Sequence, residues 1–141
     1  MYRKQLLLQI TYCLEQAGFC RSTSKEPFSY EVNVKYKSTL IPDKNDYAHF
    51  VLYTPNGSIQ IAAKNQDTTG TAIEKLAYTA KDASVTEYDM YLVVCGGKEL
   101  LKKNKAITFL NLFKKDAPKL HAIAINDLSY FLHQQIQETA A

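Results

Sequence analysis

Lys64, Ala62 and His49 are the residues whose types and spacing bear most directly on chemistry. Lys64 lies in the segment SIQIAAKNQ, which follows HFVLYTPNG, and the Asn-Gly pair between them predicts a tight hairpin. Pairing across that turn places His49 opposite Ala62, because the numbers of paired residues then sum to about 111. Since side chains alternate between the faces of a strand, we expect His49, Ala62 and Lys64 on one face and Asp46 on the other.

A lysine beside carboxylates at the end of a hairpin is typical of metal-dependent phosphodiester hydrolysis. The carboxylates hold Mg²⁺, which activates a water, and the lysine adds positive charge near the water and the phosphate. In this sequence the two positions that would need acids carry His49 and Ala62. A neutral imidazole is a poor ligand for Mg²⁺, although it can bind Mn²⁺ or Zn²⁺. We therefore expect this chain to cleave poorly or not at all.

The elements that must position these residues follow from the spacing of the apolar residues. The pattern predicts a helix over about 2–17, an alternating strand over SYEVNVKYK, the two hairpin strands, and a helix that begins at Thr71 with a capping box. There follow a buried strand (MYLVVC), a lysine-rich helix within 98–115, a second buried strand (KLHAIAI) and a last helix capped by Asn126 or Asp127. This order predicts a mixed sheet flanked by helices.

Length and composition indicate one globular domain over residues 1–141. The chain has 46% hydrophobic and 22% charged residues. It has no apolar run of membrane length and no signal-like start, so we expect no membrane partner. Three cysteines without a Cys-x-x-Cys spacing argue against a disulfide framework or a zinc site and favour a cytoplasmic setting. A net charge of +3 permits nucleic-acid binding without arguing for it, and the lysines of 98–119 are expected to form a solvated helical face.

Taken together, these segments resemble the PD-(D/E)XK nuclease superfamily, which has the restriction-endonuclease-like fold. The resemblance is carried by HFVLY, TPNG, SIQIAAKNQ and DTTGTAIEKLAY, and then by YLVVCGG and KLHAIAINDLSYFL, so it covers nearly the whole chain. It implies an α/β fold with an αβββαβ core and a mixed sheet flanked by helices. Here the core is followed by extra C-terminal α-β-α elements.

The resemblance also implies a site. Lys64 matches the motif lysine, and Gln66 matches the polar residue that often follows it. Ala62 stands at the position of the motif acid, and His49 at the position of the strand aspartate. Asp43 is a rival for that aspartate because Pro42-Asp43 spells the first part of the motif, although hairpin geometry favours His49.

Further expectations concern ligands and partners. Thr71 and Lys75 match a Gly-Thr-x-x-Glu-Lys segment that lies near the site in the family, so we expect them to contact nucleic acid. The resemblance implies Mg²⁺ or Mn²⁺ for an active parent, whereas Ala62 argues against metal binding in this chain. It implies DNA as the partner. A homodimer or tetramer is expected, because a double-strand cut needs two sites.

Two functions from different classes are compatible with these residues. The first is a metal-dependent DNA endonuclease that is inactive because Ala62 replaces the motif acid, either through natural divergence, which His49 favours, or through a substitution in an active parent, which Ala62 favours. The second is a catalytically dead nucleic-acid- or protein-binding module on the same fold. Taken alone, Lys64 is also compatible with an ordinary surface lysine, and His49 with a partly buried structural histidine.

Overall fold

The computed structural model describes residues 3–38, 40–67 and 72–140, and it builds them into five α-helices and six strands. In chain order these are α1 (Arg3–Gln16), β1 (Cys20–Arg21), β2 (Ser29–Lys37), β3 (Asn45–Thr54), β4 (Gly57–Asn65), α2 (Ala72–Ser84), β5 (Met90–Gly96), α3 (Lys98–Leu101), α4 (Lys105–Asn111), β6 (Leu120–Ala124) and α5 (Leu128–Ala140). Short 3₁₀ turns precede α4 and α5.

The six strands form one mixed sheet in which spatial order follows chain order, from β1 to β6. The β2–β3 and β3–β4 pairs are antiparallel, whereas β1–β2, β4–β5 and β5–β6 are parallel. This sheet confirms the predicted α/β class, and α3, α4, β6 and α5 are the predicted C-terminal additions. The two-residue strand β1 is an element that the sequence pattern did not predict.

Helices cover both faces of the sheet and give the protein two cores. On one face α1 and α5 pack against the sheet, and buried residues such as Leu6 and Phe50 meet there. On the other face α2, α3 and α4 pack against it, with Leu76, Val93 and Leu110 in the core. Because β4 and β5 are covered on both sides, both strands read as nearly continuous apolar runs.

The hairpin has the predicted register near its turn, but the predicted pair of His49 with Ala62 lies beyond the end of the ladder. The β3–β4 ladder runs from the pair Thr54–Gly57 at the turn to the pair Phe50–Ile61. Pro55 and Asn56 form the two-residue connection between the strands. The turn therefore brings the end of β4, with Lys64, close to the beginning of β3.

An irregularity in β2 and β3 changes which side chains face the site. The pair Asn33–His49 is missing from the β2–β3 ladder, and Asn33 has a left-handed φ of 50°. Tyr30 packs in the core with α1, whereas the Tyr36 hydroxyl donates to Asp82 of α2 on the opposite face. The regular alternation predicted over SYEVNVKYK is therefore wrong, because Tyr30 and Tyr36 face opposite sides of the sheet and the alternation does not continue through Asn33.

The predicted lysine-rich helix is also interrupted. The helices α3 and α4 are separated by a 3₁₀ turn, in which Lys103 and Asn104 have left-handed φ values of 55° and 56°. These two positive φ values end one helix and redirect the chain into the next. Within the described ranges, none of the helices is both long and apolar enough to cross a membrane.

Candidate functional site

The central strand β4 places an alanine where the motif has an acid. Ala62 lies in the core with α2, and Ala63, next along the strand, lies in the core with α1. Ala62 is only 7% exposed. Its methyl group offers no oxygen to a metal ion, so this position can contribute packing but not coordination.

Lys64 lies at the end of β4 and lines two cavities. The first, of about 100 Å³, also has Asp46 and Asp82 in its wall. The second, of about 280 Å³, has Arg3 and Lys75 in its wall. Burial lowers the pKa of the Lys64 ammonium, and the charge of Arg3 lowers it further, whereas Asp82 and Asp46 act in the opposite direction.

His49 lies between these groups and makes two close contacts. The Ala63 backbone N–H donates to His49 Nδ1 at 2.8 Å. His49 Nε2 lies 2.7 Å from Arg3 Nη2. Burial lowers the pKa of His49 to about 4, and the charges of Arg3 and Lys64 contribute to this shift. The imidazole is therefore neutral at pH 7.

A buried carboxylate of α2 takes part in the wall of the smaller cavity. Asp82 is 6% exposed and accepts hydrogen bonds from the hydroxyls of Tyr36 and Tyr91, the latter at 2.8 Å. Burial raises the pKa of both tyrosines, and Asp82 raises it further. Gln60 of β4 extends the cluster by donating to the Tyr36 hydroxyl at 3.3 Å.

Asp46 lies in the same cavity, contrary to the prediction that it points to the opposite face. It accepts a hydrogen bond from the Tyr78 hydroxyl at 3.0 Å and pairs with Lys44 at 3.4 Å. Asp46 precedes the irregular position at His49 in β3, and the alternation counted back from the hairpin fails there. Among the described residues, Asp46 and Asp82 are thus the carboxylates that line a cavity with Lys64, and the motif singles out neither.

The structure separates the other predicted site residues. Asp43 is exposed in the turn before β3 and has a left-handed φ of 59°, as expected for a residue outside the strand. The backbone carbonyl of Gln66 accepts from the N–H groups of Glu99 and Leu100, both at 3.0 Å, and thereby holds the start of α3 beside β4. Lys75 of α2 is exposed at the larger cavity.

Thr71 lies outside the described residues. The same holds for its predicted capping box, since the Glu74 side chain is not described either. The nucleic-acid role assigned to Thr71 thus remains a prediction.

The described geometry defines a class of protein: an α/β fold with a mixed sheet, in which a hairpin presents a partly buried lysine at the end of a central strand. A family model described as a PD-(D/E)XK nuclease superfamily domain matches residues 1–139. The chain belongs to the PD-(D/E)XK nuclease superfamily. The comparisons with curated proteins and with solved structures gave no match.

Membership points to nuclease-type function and to nucleic acid as the partner, and divalent metals are the usual cofactors of the superfamily. At the motif positions, the described side chains do not supply ligands for such a metal. At the two strand positions that would supply oxygens, Ala62 has none, and His49 has both ring nitrogens in contact with Ala63 N–H and Arg3. In the part of the chain that the structure describes, no group of three or more His, Cys, Asp or Glu side chains could hold a metal ion.

Sequence reasoning missed two residues of this site, Arg3 and Asp82. A signal for Asp82 existed: with Leu76 and Thr79 it follows helical spacing, and all three are buried in the structure. An acid on a buried helical stripe requires a partner, which here is a pair of tyrosine hydroxyls. For Arg3 the sequence carried no comparable signal, because a basic residue at the start of a helix is ordinarily solvated.

Proposed function

We propose that this chain, acting as a single domain over residues 1–141, binds nucleic acid, with DNA as the first candidate, and does not hydrolyse it with Mg²⁺. The observation that carries the proposal is the set of neighbours of Lys64. Arg3, His49 and Ala62 line the cavities of Lys64, and the two motif positions that would supply carboxylates are occupied by His49 and Ala62. Superfamily membership supports nucleic acid as the partner.

Binding is tested with fluorescent duplex DNA by anisotropy in EDTA. We expect saturable binding that weakens as salt is raised, because contacts to phosphates release counterions. Duplex binding that does not respond to salt, or no binding at low salt, contradicts the proposal.

Hydrolysis is tested with supercoiled plasmid in Mg²⁺ and in Mn²⁺. The unmodified chain is expected to leave the plasmid intact. Nicking that disappears in Lys64→Ala would overturn the proposal. The double variant Ala62→Glu with His49→Asp restores both strand carboxylates. Nicking gained in that variant and lost again on adding Lys64→Ala would indicate that the superfamily geometry is kept and that only the acids are missing.

The second candidate is a metal-dependent DNA endonuclease whose carboxylates come from other positions. The observation that favours it is that Asp46 and Asp82 line one cavity with Lys64. Plasmid nicking by the unmodified chain that disappears in both Lys64→Ala and Asp82→Asn would establish this candidate. Against it, both carboxylates already accept hydrogen bonds from tyrosine hydroxyls.

Assembly into a homodimer or tetramer remains a proposal as well. It rests on the need of an endonuclease for two sites on duplex DNA. Sedimentation equilibrium tests it, with an expected mass of two or four times 16.0 kDa. A monomer would favour the binding module over a double-strand endonuclease.

A further inference from the structure

The larger cavity beside Lys64 has four donor side chains in its wall, together with the amide of Asn65. Arg3, His49, Lys64 and Lys75 reach it from α1, β3, β4 and α2, and Leu76 and Leu100 form part of its apolar wall. Among the described residues, no aspartate or glutamate lines it. The neighbouring cavity has the opposite character, since Asp46 and Asp82 accept hydrogen bonds there.

The contact between His49 and Arg3 lacks an acceptor. The Ala63 backbone N–H is a donor, so His49 Nδ1 accepts from it and the proton of the neutral ring resides on Nε2. That Nε2–H faces the Arg3 guanidinium, which is also a donor only, at 2.7 Å. Two donors at this distance repel each other, and an acceptor shared between them would remove the conflict.

The charges around the cavity point to an anion rather than a neutral acceptor. Arg3, Lys64 and Lys75 are three cations that line the cavity from three different elements. Burial and the charge of Arg3 disfavour the protonated form of Lys64. An anion between Arg3 and Lys64 would reverse this effect by favouring the charged ammonium. Arg3 and Lys75 are exposed, so a ligand can reach the cavity from solvent. A volume of about 280 Å³ exceeds the space that one water occupies in the liquid, about 30 Å³.

We propose that this cavity binds one phosphate group directly, without a metal ion, through Arg3, Lys64, Lys75 and the Nε2–H of His49. Rigid, bidentate donation by arginine suits a phosphate oxygen pair, and the ammonium groups add charge. The proposal rests on the proposed function in that nucleic acid supplies the phosphate. It deepens that function by naming the group recognised and the residues that hold it. An internal phosphodiester, a terminal phosphate and free inorganic phosphate share this chemistry.

The test follows the ring signals of His49 by NMR in EDTA at pH 7, assigned by comparison with His49→Asn. Three probes are titrated: inorganic phosphate, a short duplex with 5′-phosphates, and the same duplex without them. We expect saturable shifts of the His49 ring with at least one probe. Shifts by all three indicate any phosphate, and shifts by inorganic phosphate and the 5′-phosphorylated duplex alone indicate a strand end.

Arg3→Gln is the informative variant, and Lys4→Gln is its matched control. Lys4 is the next residue of α1, is exposed, and is not among the lining residues of the cavity, so both variants lose one charge from the same helix turn. We expect Arg3→Gln to weaken binding of the probe that shifts His49 by about tenfold, and Lys4→Gln to weaken it by less than about twofold.

The possible failures separate this inference from the proposed function. If no probe shifts the His49 ring, or if the two variants weaken binding equally, the phosphate site is wrong even when duplex DNA binds. If inorganic phosphate shifts His49 but duplex DNA does not bind at low salt, the phosphate site stands and the proposed function is wrong. The titrations are made on the unmodified chain, so their outcome does not depend on the stability of Arg3→Gln or Lys4→Gln, and His49→Asn serves only to assign the ring signals.

Discussion

His49 stays neutral at physiological pH because its surroundings oppose a further positive charge. Burial is the largest cause of its low pKa, followed by Arg3 and then Lys64. The ring therefore contributes an N–H to the larger cavity rather than a charge. A carboxylate at the same position would instead neutralise Arg3 and Lys64. The character of the site thus depends on residue types at two or three positions rather than on the fold.

The low pKa of His49 predicts a specific loss of stability in mild acid. The native state keeps the ring neutral down to about pH 4, whereas the unfolded chain takes up a proton near pH 6.5. As the pH falls from 6.5 to 4, the unfolded state therefore binds more protons and the free energy of unfolding decreases. After discounting for solvent screening of a partly exposed ring, we expect His49 to account for about 2 kcal/mol of this decrease.

Urea unfolding of the unmodified chain and of His49→Asn at pH 7 and pH 4.5 measures this contribution. Asparagine keeps an oxygen that can accept from Ala63 N–H and removes the titration. We expect the loss of unfolding free energy between the two pH values to be smaller in the variant. All other ionisable groups are the same in both proteins, so their contributions cancel in the comparison. Equal losses would show that His49 does not titrate below its ordinary pKa.

At this scale the sequence was sufficient for the hairpin and insufficient for what packs against it. Lys64 and Ala62 could be placed on one face because side chains two residues apart in a strand point to the same side, and the turn brings both toward the start of β3. Arg3 and Asp82 could not, because they arrive on α1 and α2, and helix periodicity does not determine which residue of a helix reaches a given strand end. The sequence consequently predicted that the motif acids are missing, but not that Arg3 and Asp82 lie at the site.

Among the elements, the regular parts were predictable and the irregular ones were not. The buried stripe of α1, with Leu6, Ile10 and Leu14, follows directly from apolar spacing. The left-handed residues Asn33 and Lys103 changed the outcome of two predictions. Positive φ in a residue other than glycine is stabilised by its tertiary surroundings, which a local pattern does not contain. Both irregularities occur in elements that border the site.

The junction between β5 and α3 gives a prediction about an element boundary. Gly97 has a φ of 92°, and a Cβ there would lie 2.3 Å from the carbonyl oxygen of Gln66. This carbonyl accepts from the first N–H groups of α3, so it is not free to move away. We expect Gly97→Ala to lower the free energy of unfolding by about 3 kcal/mol or more, through both backbone strain and the steric clash.

Gly18→Ala separates these two causes. Gly18 has a similar φ of 98°, but no heavy atom lies within 4 Å of the Cβ that alanine would add. Its substitution is expected to cost about 1–2 kcal/mol, from backbone strain alone. Urea unfolding of both variants gives the comparison. Equal costs would mean that the Gln66 carbonyl relaxes and that α3 is not fixed to the end of β4 in the way described.

For the molecule as a whole, the sheet divides the lysine run into two groups. The end of β4 lies beside the end of β5, so Lys98, which follows β5, is at the edge that carries Lys64. The start of β6 pairs with the start of β5. Lys115 and Lys119 precede β6 and therefore lie toward the opposite edge. The net charge of +3 thus does not show that these lysines are divided between two edges.

The division of the lysines between these two edges predicts which of them contribute to the salt dependence of DNA binding. If duplex DNA lies across the edge that carries Lys64, removing Lys98 removes a phosphate contact, and the slope of log K against log salt concentration should fall by about 1. Lys115→Ala removes the same charge from the other edge and should leave the slope unchanged. Anisotropy titrations of both variants at several salt concentrations test this. A slope that falls equally in both would mean that net charge alone attracts DNA, and a fall in Lys115→Ala alone would place DNA at the opposite edge.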